Sequence, residues 1–224
     1  MLRMTQITIE EYEKLNPTFQ CEIGGTNLIF CVPNKNTLWR AQTIETKEQD
    51  TVEWIKNFRK DCVFLDVGAH VGVYTVLAAK VAGSYVYAIE PESQNFAILT
   101  KNIVVNKIQE QVTAYAIALS NITGFDELHL SDFLGGSSCH SYGEQVDFNL
   151  KPVQYGFHQG CYATTIDELV ENGSVPCPTY VKIDVDGIEH KVINGANKTL
   201  DNENLKSILV ELNTNLSKHR LVVA

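Results

Sequence analysis

The sequence predicts an α/β protein built on a mostly parallel sheet with helices on both faces, a Rossmann-like arrangement. Three observations carry this. From Val63 onward, short apolar runs alternate with segments of helical periodicity. The runs are nearly all apolar, as strands covered on both faces are. Regular strand–helix alternation is also what a parallel sheet demands, because each parallel connection has to cross over the sheet.

The elements follow in order. Ahead of the rhythm, Ile7-Thr8-Ile9 and residues 28–32 read as strands, with Gly24-Gly25-Thr26-Asn27 as the turn before the second. Residues 51–58 space Ile55 and Phe58 for a short helix. Residues 1–60 are thus expected as N-terminal strands and a helix packed on a main domain spanning 61–224. The first strand of that domain is 63–67, ended by Gly68 and followed by a helix carrying Val73, Val76, Leu77 and Ala79. A second strand, 85–89, closes at Glu90-Pro91, and Phe96, Leu99, Ile103 and Val104 then mark a helix. Residues 112–119 read as the third strand, and 120–163 as an irregular insertion. Thr165-Ile166-Asp167-Glu168 has the form of a capping box. Residues 180–185 are the fourth strand, followed by a helix with Ile188, Val192, Ile193 and Ala196, and 207–212 are the fifth.

Composition narrows the class. The 224 residues are 44% hydrophobic and 20% charged, which suits one folded domain with a core large enough to need no staples. No apolar stretch approaches the roughly 18 residues that span a bilayer, and Met1–Gln6 has no signal-peptide core. A cytoplasmic protein without a membrane partner is expected. The six cysteines never fall as C-x-x-C, so they are read as reduced and supporting neither zinc nor disulfides. Four N-x-S/T sequons, at Asn121, Asn172, Asn197 and Asn215, are then chance matches. A net charge of −9 without a basic stripe argues against nucleic acid.

In open α/β sheets, ligands bind outside the carboxyl ends of the strands. Here five such ends are polar: Asp66 to Gly72, Glu90-Pro91, Ser120-Asn121, Asp184 to Gly187, and Glu211 to Asn213. A dinucleotide fingerprint would place glycine where His70 stands between Gly68 and Gly72, and no P-loop G-K-S/T occurs. A nicotinamide oxidoreductase is therefore disfavoured. An adenosyl ligand without phosphates fits, with Asp66 facing a cationic amino acid and Glu90 accepting ribose hydroxyls. The plainer alternative makes Asp66 a helix cap and Glu90 a solvated strand end.

The run Asp66-Val67-Gly68-Ala69-His70-Val71-Gly72-Val73-Tyr74-Thr75 resembles the first motif of FkbM-type methyltransferases, a class I S-adenosylmethionine-dependent family. The resemblance continues through Ala88-Ile89-Glu90-Pro91 with Asn95 and Phe96, Ala118-Leu119-Ser120 and Gly135-Gly136-Ser137-Ser138. It closes with Thr164 to Leu169, Lys182-Ile183-Asp184-Val185-Asp186-Gly187-Ile188-Glu189 and Gly195-Ala196. It spans roughly 60–213; the lysine-to-glutamate run is its most specific part. Position 70 is usually Asn in this family and position 186 usually Glu; His70 and Asp186 keep comparable chemistry.

The resemblance implies S-adenosylmethionine as cofactor and methyl transfer to a hydroxyl, on a sugar or natural-product-like small molecule. It assigns cofactor contacts to Asp66, Gly68, Ala69, His70, Gly72, Glu90, Pro91 and Ser120. Asp184 or Asp186 is the candidate for orienting or deprotonating the acceptor. Lys182, two residues before Asp184 and on the same strand face, would hold that carboxylate ionised or form an ion pair inside the sheet. Glu189 reads as a first-turn helix acid. A metal-free site is expected, although Asp184, Glu211 and Asn213 are hard oxygen ligands that would suit magnesium if they converged. His140 and His158 are read as loop histidines, with a role as base the lesser alternative. The insertion, with Gly135 to Ser138 and the rings of Tyr142, Tyr155, Phe157 and Tyr162, is expected to cover the acceptor, and Lys47 to Thr51 to fold over the cofactor or stay solvated. Eleven residues follow Asn213 (224 − 213), too few for the final two strands of a seven-stranded class I sheet. A sheet without them would leave strand five near an open edge and favour a homo-oligomer. The rival function is a non-catalytic or truncated relative that binds S-adenosyl ligands or a protein partner.

Overall fold

The computed structural model describes residues 7–213 and Leu216. Met1 to Gln6, the sequon at Asn215 and almost all of the stretch after Asn213 lie outside the described residues.

The N-terminal part holds α1 (Ile9–Glu13), the strands β1 (Thr18–Ile23) and β2 (Thr26–Cys31), and the helices α2 (Lys35–Gln42), α3 (Ile44–Lys47) and α4 (Gln49–Lys56). There follow β3 (Val63–Val67), α5 (Val73–Lys80), β4 (Tyr85–Ile89), α6 (Ser93–Val105) and β5 (Val112–Tyr115). Next come β6 (Ala118–Leu119), β7 (Gly124–Leu130), β8 (Ser141–Tyr142) and β9 (Phe157–Thr164). The chain then forms α7 (Ile166–Glu171), β10 (Tyr180–Ile183), α8 (Glu189–Asn194), α9 (Asn197–Leu200) and β11 (Ser207–Val210).

The main sheet has five strands in the order β11-β10-β3-β4-β5, and every pair is parallel. The chain runs outward from β3 through β4 to β5, then returns beside β3 as β10, so the order reverses between β3 and β10. That is the topological switch point at which doubly wound sheets bind ligands. Side chains alternate between two cores. Phe64 and Val86 pack with Val76, Leu77, Leu99 and the hairpin residues Leu28 and Phe30. Leu65, Val67, Val181 and Ile183 pack with Ile166, Leu169 and Val192 on the other face. The sheet is thus covered on both sides, as its nearly all-apolar strands require.

Two asparagines of α6 fasten the hairpin to this core. Asn102 accepts the Cys31 amide and donates to the Val71 carbonyl; Asn106 pairs with both the amide and the carbonyl of Ile29.

Four expectations are corrected. Ile7-Thr8-Ile9 is not a strand: Thr8 caps α1, exchanging hydrogen bonds with Glu11. Residues 112–119 are not one strand, because the chain leaves the main sheet after Tyr115 and Ala118-Leu119 join a second sheet. The 120–163 insertion is largely ordered. β7 and β9 form a long antiparallel pair, giving a four-stranded sheet in the order β6-β9-β7-β8. The cap at Thr165 forms, but only its first half: Glu168 sends its carboxylate to Thr123 and Thr164 instead of back to the cap. β11 stands at one end of the main sheet among the described residues.

Candidate active site

The site grows from the carboxyl ends of β3 and β10. Gly68 has φ +76°, and a β-carbon there would meet the Asp184 carbonyl oxygen at 1.8 Å, so the two strand ends touch through bare backbone. The amides of Gly68 and Ala69 both donate to the Ile89 carbonyl, which draws the turn towards β4. His70 also takes a left-handed conformation, with φ 55°. Gly72 (φ +83°) caps α5, and a β-carbon there would lie 2.4 Å from Leu99 Cδ1.

Behind this turn sits a buried charge cluster. Lys182 Nζ donates to Asp184 Oδ2 at 2.8 Å and stands 3.9 Å from Asp66 Oδ1 and 5.3 Å from the Tyr74 ring centroid. Burial favours neutral lysine, but the two carboxylates outweigh it and push the ammonium up. Burial would raise Asp184 too; the Lys182 ammonium and hydrogen bonds from Glu211 and Lys182 overcome that and hold it low. Glu211 is raised to about 8 by the Asp184 charge, its hydrogen bond to that carboxylate and burial. At neutral pH Asp184 is therefore the anion of the pair and Glu211 the proton carrier.

Asp66 differs from expectation. It is fully buried, with the Thr75 hydroxyl donating to Oδ2 at 2.6 Å and Oδ1 without a hydrogen bond. The ammonium it faces is that of Lys182, and it lies behind the cavity wall. Lys182 thus fills the role of buried ion pair and that of Asp184's counter-charge together.

Glu90 ends β4. Its carboxylate accepts the amides of His70 (2.8 Å) and Glu92 (2.9 Å), yet burial still raises it to about 8. His70 Nε2 donates to the Ser137 carbonyl, a tautomer fixed by a partner that can only accept. Burial, with the nearby Arg40 charge, lowers His70 to about 3, so it is neutral. Asn95 donates to the same carbonyl and accepts the Gly136 amide at 2.7 Å. The Gly135 to Ser138 loop is therefore pinned over the β3 turn by His70 and Asn95. Asp186, with φ 58°, accepts the Cys139 amide at 2.6 Å and is raised by burial. Glu189, the first residue of α8, accepts the amides of Val185 and Gly187 and holds that turn.

Three contiguous cavities meet here, and Gly68, His70 and Asp184 border all of them. The inner one is bounded by Ile89, Glu90, Pro91, Leu119, His140 and Tyr142, among others, and no lysine or arginine lines it. A pyrophosphate would find no cation there; an adenosyl group finds an apolar slot beside a carboxylate. The second is bordered by Ala69, Val73, Tyr74, Lys47 and Glu48. The outer one, about 370 Å³, is bordered by Trp39 and Arg40 of α2, Lys47 of α3, and Asp184, Asp186 and Glu211 beyond the ends of β10 and β11. Asp184, Asp186, Glu90, Pro91, Ala69 and His70 are thus brought together. Lys182 borders the second cavity only.

Ser120 is not among the cavity residues. Because the chain leaves the sheet after Tyr115, its carbonyl packs against Gly195 and its hydroxyl donates to Asn121. His140 is half-buried on the inner wall instead of sitting in an exposed loop, and its Nε2 has no hydrogen bond. His158 remains 62% exposed beside Glu127. Phe157 and Tyr162 stay outside the cavities, and the Tyr155 hydroxyl donates to Val146. Asn213 turns its amide to Asn149, and no group of three His, Cys, Asp or Glu side chains placed to hold a metal forms among the described residues. Sequence reasoning missed Trp39 and Arg40. No motif marks them, and the helix that carries them was not among the sequence expectations.

A family model described as "Methyltransferase FkbM domain" matches residues 66–221. The hexuronic acid methyltransferase AglP of Haloferax volcanii is 27% identical over 192 residues, which is 85% of this chain and 72% of that protein. Among solved structures, precorrin-6y C5,15-methyltransferase from Geobacter metallireducens aligns with TM-score 0.43 and 14% identity, over 75% of this chain and 63% of that one. TYW2 of M. jannaschii, in complex with AdoMet, aligns with TM-score 0.33 and 22% identity, over 43% and 42%. The chain spans less than two thirds of the length of either structure.

Proposed function

The chain belongs to the FkbM methyltransferase domain family, and from that premise we propose that it methylates a hydroxyl oxygen of a sugar or sugar-like small molecule, using S-adenosylmethionine. The printed activity of the curated relative, on a hexuronic acid, supports the sugar as acceptor class. When bound, S-adenosylmethionine supplies an electrophilic methyl group on a sulfonium.

The chain's own residues would divide the remaining work. Ile89, Pro91 and Leu119 would enclose the adenine, and Glu90 would accept the ribose hydroxyls. The glycine turn at Gly68 to Gly72 leaves room for the amino-acid portion, and Lys47, Tyr74 and Val73 would border it. Asp66 contributes from behind, by fixing Lys182 and Thr75. Asp184 would accept the hydrogen bond of the acceptor hydroxyl and take its proton as the oxygen is alkylated; Asp186 would orient the same group from across the outer cavity. The pinned Gly135 to Ser138 loop keeps water from one side.

The observation that carries this reading is Asp184: an anion stabilised by Lys182 at the border shared by all three cavities. The test is transfer of labelled methyl from S-adenosylmethionine to a panel of glycosides, beside calorimetric titration with S-adenosylhomocysteine. Asp184→Asn should abolish transfer and leave the dissociation constant within about threefold. A wild-type protein that binds the ligand but transfers to no hydroxyl would point to the non-catalytic relative.

A further inference from the structure

The catalytic assignment uses the carboxylates bordering the outer cavity and leaves α2, which also borders it, without a role. Trp39 is 48% exposed there, and Arg40 follows it. Arg40 forms no ion pair among the described residues; its guanidinium lies 5.4 Å from the centroid of the Trp39 ring. The helix itself is firmly held. Asn34 caps it through the Thr37 amide and donates to the Gly135 carbonyl, while Thr37 and Ala41 are buried beneath. Both residues lie outside the segment that the family model matches.

From this geometry we infer that α2 is the acceptor-recognition element and that the acceptor carries a carboxylate: Trp39 stacks on the sugar ring and Arg40 binds the acid group. The inference rests on the sugar O-methyltransferase reading and adds the charge class of the acceptor. Three arguments lead to it. A guanidinium that forms no ion pair among the described residues, beside a large opening, has donor edges available for a planar anion. An exposed indole offers an apolar face of the kind that the C–H face of a pyranose covers. The protein carries a net charge of −9, so an anionic acceptor needs a fixed cation at the entrance. Of the carboxylates bordering the same cavity, Asp184 is compensated by Lys182, Glu211 is raised to about 8, and Asp186 feels the Arg40 charge but accepts the Cys139 amide and forms no ion pair with Arg40 among the described residues.

One competing role exists for Arg40. It also borders the second cavity, where it would meet the carboxylate of the cofactor's methionyl group. Trp39 does not border that cavity, and Lys47 does; the pair Trp39–Arg40 is shared by the outer opening and a cavity of about 290 Å³ bordered by Asn36, Ser131, Asp132 and Ser138.

The experiment compares 4-nitrophenyl β-D-glucuronide with 4-nitrophenyl β-D-glucoside as acceptors, with S-adenosylhomocysteine affinity measured for each variant. The glucuronide should have a kcat/KM at least ~10-fold higher in the wild-type protein. Arg40→Ala should raise its KM by ~10-fold or more and erase the preference, leaving S-adenosylhomocysteine affinity unchanged; Arg40→Lys should restore part of it. Trp39→Ala should raise KM for both glycosides and Trp39→Phe much less. Equal kcat/KM for the two glycosides, or a loss of cofactor affinity in Arg40→Ala with the acceptor preference intact, would overturn the inference. Methylation of the glucoside alone would leave the sugar reading standing and sink only the charged acceptor. Methylation of neither, with cofactor bound, would sink the sugar reading itself.

Discussion

Gly68 and Asp184 meet through backbone alone: the carbonyl oxygen of Asp184 occupies the space that any β-carbon on residue 68 would need, at 1.8 Å. The contact joins the ends of β3 and β10 across the switch point and brings the Asp184 carboxylate to the border of all three cavities.

Gly68→Ala should therefore be severe. The φ of +76° alone strains an alanine by about 1 kcal/mol, and the obstruction is backbone, which cannot swing aside. A loss of at least about 2 kcal/mol in denaturant-derived stability is expected, together with loss of S-adenosylhomocysteine binding. Gly72→Ala is the control, since its obstruction is the flexible end of Leu99. Equal effects of the two substitutions would remove the special status of the Gly68–Asp184 contact.

Lys182→Met should destabilise by about 3–5 kcal/mol, the range for removing one partner of a buried pair. Two carboxylates depend on this ammonium, one of them fully buried. The pH dependence follows from Asp184, whose folded-state pKa lies below its unfolded value. Its stabilisation is present above the unfolded pKa of about 3.9 and is lost as pH falls towards the folded one. In Lys182→Met that contribution should vanish from thermal melts taken between about pH 5 and 2. A wild-type-like acid limb in the variant would show that Lys182 does not set the Asp184 charge.

The central strands of the main sheet were legible because β3 and β10 are buried on both faces and so lack alternation: Val63 to Val67 and Tyr180 to Ile183 are apolar except for Asp66 and Lys182, which pair with each other. The insertion was not legible for the converse reason. β7 carries Phe125, Asp126 and Glu127 exposed, and β9 is interrupted by Gly160, so neither reads as a buried run. Their pairing comes from long-range register, such as Leu128 with Gln159, which no local pattern encodes. At the site, the strand-end carboxylates could be read from position alone. That Asp66 faces inward to Lys182 and Thr75 could not, because a side chain's partner across a sheet depends on strand order. Trp39 and Arg40 were invisible for the same reason: their helix reaches the site only through the fold.

Asn95→Ala should release the Gly135 to Ser138 loop. It removes a donor to the Ser137 carbonyl and the acceptor of the Gly136 amide, both buried, which is worth about 1–3 kcal/mol locally. Hydrogen exchange at the Gly136 amide should accelerate by about 10-fold or more while the amides of β3 keep their protection. Unchanged exchange would mean that His70 alone holds the loop.

Glu90 supplies a prediction about protons. Burial raises it to about 8 in the folded protein, so at pH 7 it holds a proton although two amides already face it. A raised folded-state pKa contributes stability below the unfolded value of about 4.3, and that stability is lost as pH rises towards 8. The ligand-free protein should thus soften across this window, and Glu90→Gln should flatten the slope. The proposed ribose hydroxyls would donate to the carboxylate and favour its ionised form, so cofactor binding would pull the pKa down and expel the proton. Titrations with S-adenosylhomocysteine at pH 7, in buffers of different ionisation enthalpy, should show release of nearly one proton per ligand. At pH 9, where Glu90 is already ionised, release should disappear. In Glu90→Gln it should be absent at both pH values. Glu211 is also raised to about 8, chiefly by the Asp184 charge, but it borders the outer cavity and not the inner one. Equal release from the wild type and Glu90→Gln would reassign the proton to Glu211 and remove the ribose contact from Glu90.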